Sequence, residues 1–148
     1  MDGERKPVPY LHGEFNESQP QFSPDGRWMA YVSDESGTRQ VYVQSFPTLG
    51  GQRQISADGG SQPRWRRDGK ELFFLAPDRK LMAVTVKPGA TFESDTPRTM
   101  FQTALNPAEL RQTFAVAADG QRFLINAPIE TESPPLTVVL NWPALLKK

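Results

Sequence analysis

The residues with the most chemical potential are few and scattered. The single histidine, His12, sits in an expected first strand and, as a lone imidazole in an apolar-alternating stretch, is read as a strand or surface residue rather than a general base. No Gly-x-Ser-x-Gly elbow occurs. Acid pairs stand at Asp34-Glu35 and at Glu130 and Glu132, both in turn-like sequence, where solvated loops are the default. Gly50-Gly51 and Asp58-Gly59-Gly60 lack the Lys-Ser/Thr and the helix that a phosphate cradle needs, and read as turns. Asp25, Asp68 and Asp119 each precede a glycine, and turn formation explains them without calcium. The sharpest charged feature is Arg64-Trp65-Arg66-Arg67 with Lys70. Anion or nucleic-acid contact with Trp65 stacking is one reading. Strand alternation, with Trp65 inward like Phe22 and the arginines on the opposite side, is the better one. No catalytic residue, metal or cofactor is expected.

Composition narrows the classes further. The chain has 148 residues, 17 basic and 17 acidic, with a formal net charge of zero. That removes the electrostatic case for nucleic-acid or anionic-membrane binding. Without cysteine there are no disulfides, iron–sulfur clusters or thiolate zinc sites. The apolar runs Leu72–Ala76 and Leu136–Leu140 are too short to span a bilayer. The N-terminal stretch is not a secretory signal, so with Met1 as the true start a cytoplasmic chain is expected. The 11 glycines and 14 prolines point to a turn-rich chain.

A repeat organises these residues. Ser18-Gln19-Pro20-Gln21-Phe22-Ser23-Pro24-Asp25-Gly26-Arg27 returns 43 residues later as Ser61-Gln62-Pro63-Arg64-Trp65-Arg66-Arg67-Asp68-Gly69-Lys70. A weaker copy, Gln112 to Gln121, is centred on Asp119-Gly120. An apolar residue (Phe22, Trp65, Val116) sits three positions before each Asp, and an apolar run follows each Gly. Gly accepts positive φ, Asp bonds its own downstream backbone, and Pro24 suits the first central turn position. Each copy therefore reads as strand, tight turn, strand, with Asp25, Gly26, Asp68, Gly69, Asp119 and Gly120 as structural turn residues.

The remaining strands follow from alternation and breakers. The first unit predicts strands at 20–23, 27–33, 39–46 and 52–56, with Val41 and Val43 on one face and Tyr42 on the other. The second predicts 63–66, 71–76, 81–87 and 98–102. The third predicts 113–117, 121–126 and, after a Pro-rich loop, 136–142. Residues 7–12 predict a lone strand, 107–110 a single helical turn and 143–148 another. The fold class is all-β.

The two signatures resemble the TolB-like, WD40-like (PD40) repeat. The order of features from Asn16 onward, including Phe123-Leu-Ile-Asn126 and Leu136-Thr-Val-Val-Leu-Asn-Trp142, is similar to the C-terminal propeller blades of acidobacterial Ser/Thr protein kinases. The resemblance implies a β-propeller of about three four-stranded blades, half of a six-bladed ring, in units of about 14–57, 58–102 and 103–142. It implies a non-catalytic interaction or sensor module, and by its parent proteins an extracytoplasmic setting. The alternatives are an accessory propeller of a peptidase or other hydrolase and a TolB-like periplasmic interaction domain. The strand before each Asp-Gly is then innermost, so Gln21, Ser23, Gln62, Arg64 and Arg66 are expected to line a polar, partly basic channel whose mouth takes a protein or small ligand. Trp28 and Trp142 are expected in packing. A half ring exposes unpaired faces, so a homodimer closing six blades is expected, with strand 7–12 completing the partner's last blade.

Overall fold

The computed structural model describes residues 6–11 and 13–126. Among them there are eleven strands and no helix. Unit one holds β1 (Ser18–Phe22), β2 (Trp28–Ser33), β3 (Gln40–Ser45) and β4 (Arg53–Gln54), paired antiparallel in that order. Unit two holds β5 (Ser61–Trp65), β6 (Glu71–Leu75), β7 (Lys80–Lys87), β8 (Glu93–Ser94) and β9 (Arg98–Gln102). Unit three has β10 (Phe114–Val116) and β11 (Phe123–Ile125).

The same turn joins the first two strands of every unit. Gly26, Gly69 and Gly120 donate their amides to the carbonyls of Ser23, Arg66 and Ala117, each at 2.9 Å. Asp25, Asp68 and Asp119 accept from the amide two residues on, at 3.2, 3.1 and 2.9 Å. The glycines have φ of 70°, 74° and 69°, while the aspartates stay out of the left-handed region. This is a type I turn with Pro24 at its first central position and the glycine at its end, not the type I′ turn that Asp-Gly often forms. Ser-Pro in unit one, Arg-Arg in unit two and Ala-Ala in unit three give one geometry. The Asp-Gly pair and the flanking strands therefore set it.

The described residues depart from the expected elements in three places. Residues 7–11 pair with no strand among the described residues, and Pro7 and Pro9 have no N–H to give a ladder; His12 lies outside the described residues. Instead Tyr10 donates its hydroxyl to the Ser45 carbonyl, and Tyr10 and Leu11 pack on Met29, Tyr31 and Tyr42. Residues 107–110 form a turn, not a helical turn: Asn106 accepts the Ala108 amide on its side chain at 3.0 Å. Unit two has five strands rather than four, because β8 pairs with the end of β7 at 86–87 and β9 with its start at 80–83. The expected strand at 136–142, the tail turn at 143–148 and Trp142 lie outside the described residues.

Two buried clusters lie between the units, and a third, Met29, Tyr31 and Tyr42, lies on the outer face of unit one under Tyr10 and Leu11. Ala30, Val32, Val41 and Val43 of unit one meet Leu72, Phe74 and Val84 of unit two, with Ile55 from the connecting segment and Phe92. Phe73, Leu75, Leu81 and Ala83, on the other side of unit two, meet Phe114, Val116, Phe123 and Ile125, with Leu105 from the next connection. The period-2 alternation of β6 thus feeds two different cores. The connection from unit one to unit two passes close to both. A Cβ on Gly60 would lie 2.9 Å from Ser56 Cβ and 3.0 Å from a Val41 methyl.

Candidate functional site

The first strands of the units lie side by side: β1 contacts β5, and β5 contacts β10. A bulge recurs at the start of this seam. Gln19 and Gln62 both have φ of 55°, where the β1–β2 and β5–β6 ladders shift register. Bulging takes an amide out of its own ladder and makes it available to a neighbour. The Gln62 amide donates to Gln19 Oε1 at 2.8 Å. One unit later, the Thr113 amide and hydroxyl both donate to Gln62 Oε1 at 2.8 Å. Gln62 and Thr113 occupy the same place relative to their Asp-Gly turns, so one carbonyl clasp is used twice. Gln19 Nε2 also donates to the carbonyls of Glu109 and Leu110 at 3.2 and 2.9 Å.

A second row runs beside the first. Arg64 donates to Gln21 Oε1 at 3.0 Å, and the Trp65 indole N–H to the Gln21 carbonyl at 3.1 Å. Burial pulls the Arg64 guanidinium below its ordinary pKa. Gln21 and Arg64 are half-buried on this seam. Gln62 is wholly buried, so it clasps rather than lines a surface. Ser23 is also buried; its hydroxyl donates to Asp25 at 2.6 Å and accepts the Trp28 amide at 2.9 Å, and is spent within its own turn. Arg66 turns toward unit three. Its stem packs on the Gly120 turn, where an added Cβ would lie 2.8 Å from Arg66 Cδ, and its guanidinium pairs with Glu71 at 3.0 Å. Arg98 pairs with the other oxygen of Glu71 at 2.5 Å.

The Asp-Gly turns gather at one end of the seam. A cleft of about 490 Å³ opens between the first two, bounded by Trp28, Trp65, Arg27, Lys70, Asp25 and Asp68. The Trp28 and Trp65 rings both meet the buried Phe92 edge-on, at 5.4 and 6.3 Å. The cleft therefore has an aromatic floor and a rim of mixed charge. Burial pushes the Asp25 carboxyl up. The Ser23 hydroxyl and the Arg27 guanidinium and amide outweigh this and bring its pKa down to about 2. Asp25 thus stays an acceptor at neutral pH, not a proton donor.

The sequence pointed to Gln21, Ser23, Gln62, Arg64 and Arg66 as one channel lining. The seam brings Gln21, Gln62 and Arg64 together, and directs Ser23 and Arg66 elsewhere. Gln19 and Thr113 were missed as seam residues. The identical Ser-Gln-Pro before both strands was the available signal. Among the described residues no group of three or more His, Cys, Asp or Glu is placed to hold a metal ion. No helix among them is long and apolar enough to cross a membrane.

No family model matches the chain. Over 118 residues it is 33% identical to the uncharacterized peptidase YuxL of Bacillus subtilis (strain 168). The match takes in 77% of this chain and 16% of that protein, so the chain spans only a small part of its relative's length.

Proposed function

We propose that the chain is a stretch of β-propeller of the TolB-like repeat type, and that it serves as a non-catalytic accessory module of a hydrolase. The observation that carries this reading is the recurrence, at the spacing of the sequence repeat, of one turn, one bulge and one glutamine clasp. Innermost strands lying side by side are what blades around an axis require. The similarity to a protein named as a peptidase supports the hydrolase setting. The kinase-linked setting rests on the sequence resemblance from Asn16 onward alone. The module binds at the turn end of the seam, where Trp28 and Trp65 offer a desolvated floor and Arg27 and Lys70 offer donors. Aromatic and arginine groups of this kind dominate protein-interaction surfaces.

Two measurements test the reading. A fluorophosphonate probe for activated serines and a panel of aminoacyl and peptidyl anilides should give no labelling and no turnover. Turnover that co-purifies with the chain contradicts a non-catalytic role. Amide hydrogen exchange should find the Gln62 and Thr113 amides strongly protected despite their place outside their own ladders. Fast exchange at both contradicts the repeat-unit arrangement.

A further inference from the structure

The joint between units one and two and the joint between units two and three use corresponding positions, and their turn ends are finished differently. Two residues before the Asp of its turn, unit one has Ser23 and unit two has Arg66. Ser23 is short and spent within its own turn. Arg66 instead lays its stem on the Gly120 turn of unit three. Three residues after the Asp, unit one has Trp28 and unit two has Glu71. Glu71 is held by Arg66 at 3.0 Å and by Arg98 at 2.5 Å. Three residues before the Asp of the facing unit, the first joint has Trp65 and the second has Val116. At the second joint, side chains of the chain itself thus reach across the turns and neutralise one another. At the first joint the corresponding place is the cleft of about 490 Å³, with two indoles in its lining.

The charges around that cleft are unevenly matched. Arg27 pairs with Asp25 at 2.7 Å and donates to the Gly89 carbonyl at 3.1 Å. Lys87 pairs with Asp95 at 3.0 Å. Asp68 stands 3.4 Å from Arg66 Nε. Lys70 lines the cleft and is exposed, and its ammonium has no ion-pair partner among the described residues. Arg67, exposed in the same turn, has none among them either. Both rim carboxylates are therefore committed to cations, while two cations of the second turn are free. Indoles beside an unpaired ammonium favour a guest with an apolar ring and a negative charge. A nucleic acid offers bases and phosphates, but Asp25 and Asp68 flank the cleft and would face successive phosphates, and a net charge of zero gathers no polyanion. A peptide sets one carboxylate beside one ring and none against the aspartates.

We propose that the cleft between the first two Asp-Gly turns takes a peptide segment of a partner protein in which an aromatic residue adjoins an acidic one, the ring packing on Trp28 and Trp65 and the carboxylate reaching Lys70. This names the ligand class for the turn end of the seam and rests on the reading of that end as the binding face.

Amide and indole NMR of the full chain, titrated with acetylated and amidated Gly-Ser-Phe-Asp-Ser-Gly, is the test. The Trp28 and Trp65 indole signals and the Lys70 amide should shift together and saturate. Replacing the peptide's Phe by Ala should abolish the shifts. Replacing its Asp by Asn should weaken binding about two- to fivefold, the worth of one exposed ion pair. Lys70→Glu changes an exposed side chain and leaves the indoles in place. It should reverse the preference, so that the peptide with Lys in place of Asp binds the tighter. Equal affinity for the Asp, Asn and Lys peptides at these signals, or an unchanged preference in Lys70→Glu, overturns the acidic ligand and leaves the turn end as the binding face. Oligothymidylate that shifts the same signals at lower concentration than the peptide does likewise. Shifts gathered elsewhere on the molecule, or none with any of these probes at millimolar concentration, overturn the binding face as well.

Discussion

Gln62 joins two units through one side chain, and most of its value lies in what its absence would strand. Its carbonyl takes two donors of the buried Thr113. Gln62→Ala should cost about 2–3 kcal/mol in chemical denaturation, because the Thr113 amide and hydroxyl lose their acceptor in a site without water access. Arg79 shows the reverse case. It has φ of 67° at the end of a turn that otherwise matches the Asp-Gly turns, and only its backbone serves that turn. Arg79→Gly should stabilise by up to about 1 kcal/mol, the relief of a left-handed residue less the added chain entropy of glycine. Asp25 makes a pH prediction. Its folded pKa, about 2, lies below its ordinary 3.8. Its contribution is therefore complete above the ordinary value and is lost as pH falls through about 2. Melting temperatures of Asp25→Asn should fall less steeply than wild type from about pH 5 down to about pH 2.

The strands themselves were largely legible, because their signals are local. Asp-Gly turns, β-branched alternation in Val41-Tyr42-Val43 and the run Leu72–Leu75 each act within a few residues. Strand β8 was not legible: two residues, Glu93 and Ser94, carry no period. Residues 7–11 alternate in apolarity yet join no ladder among the described residues, where Pro7 and Pro9 lack amides. Phe22 and Trp65 looked equivalent, and their exposure differs because burial depends on which unit stands before them. The clasp by Gln19 was hidden for the same reason, since its partner lies 43 residues away. The connection from unit one to unit two is tightly packed at Gly60. Gly60→Ala should cost about 1–3 kcal/mol, as overpacking does, because Ser56 and Val41 both sit where the methyl would go. Thermal unfolding measures it; a neutral result would mean the connection relaxes freely.

At the scale of the molecule, the two larger cores lie between the sheets of neighbouring units. Two of the three buried clusters form only where units meet, so much of the stability accumulates by stacking neighbours, as in other repeat architectures. The turn end of the seam, with its aromatic floor, is the place where the proposed module would take a ligand. An experimental structure of the chain, solved in its solution assembly, tests the central claim most directly. The account predicts that successive units are related by a constant rotation, roughly 60° for a six-bladed ring, about an axis lined by β1, β5 and β10. Sheets stacked by translation, with the first strands on no common axis, would contradict it.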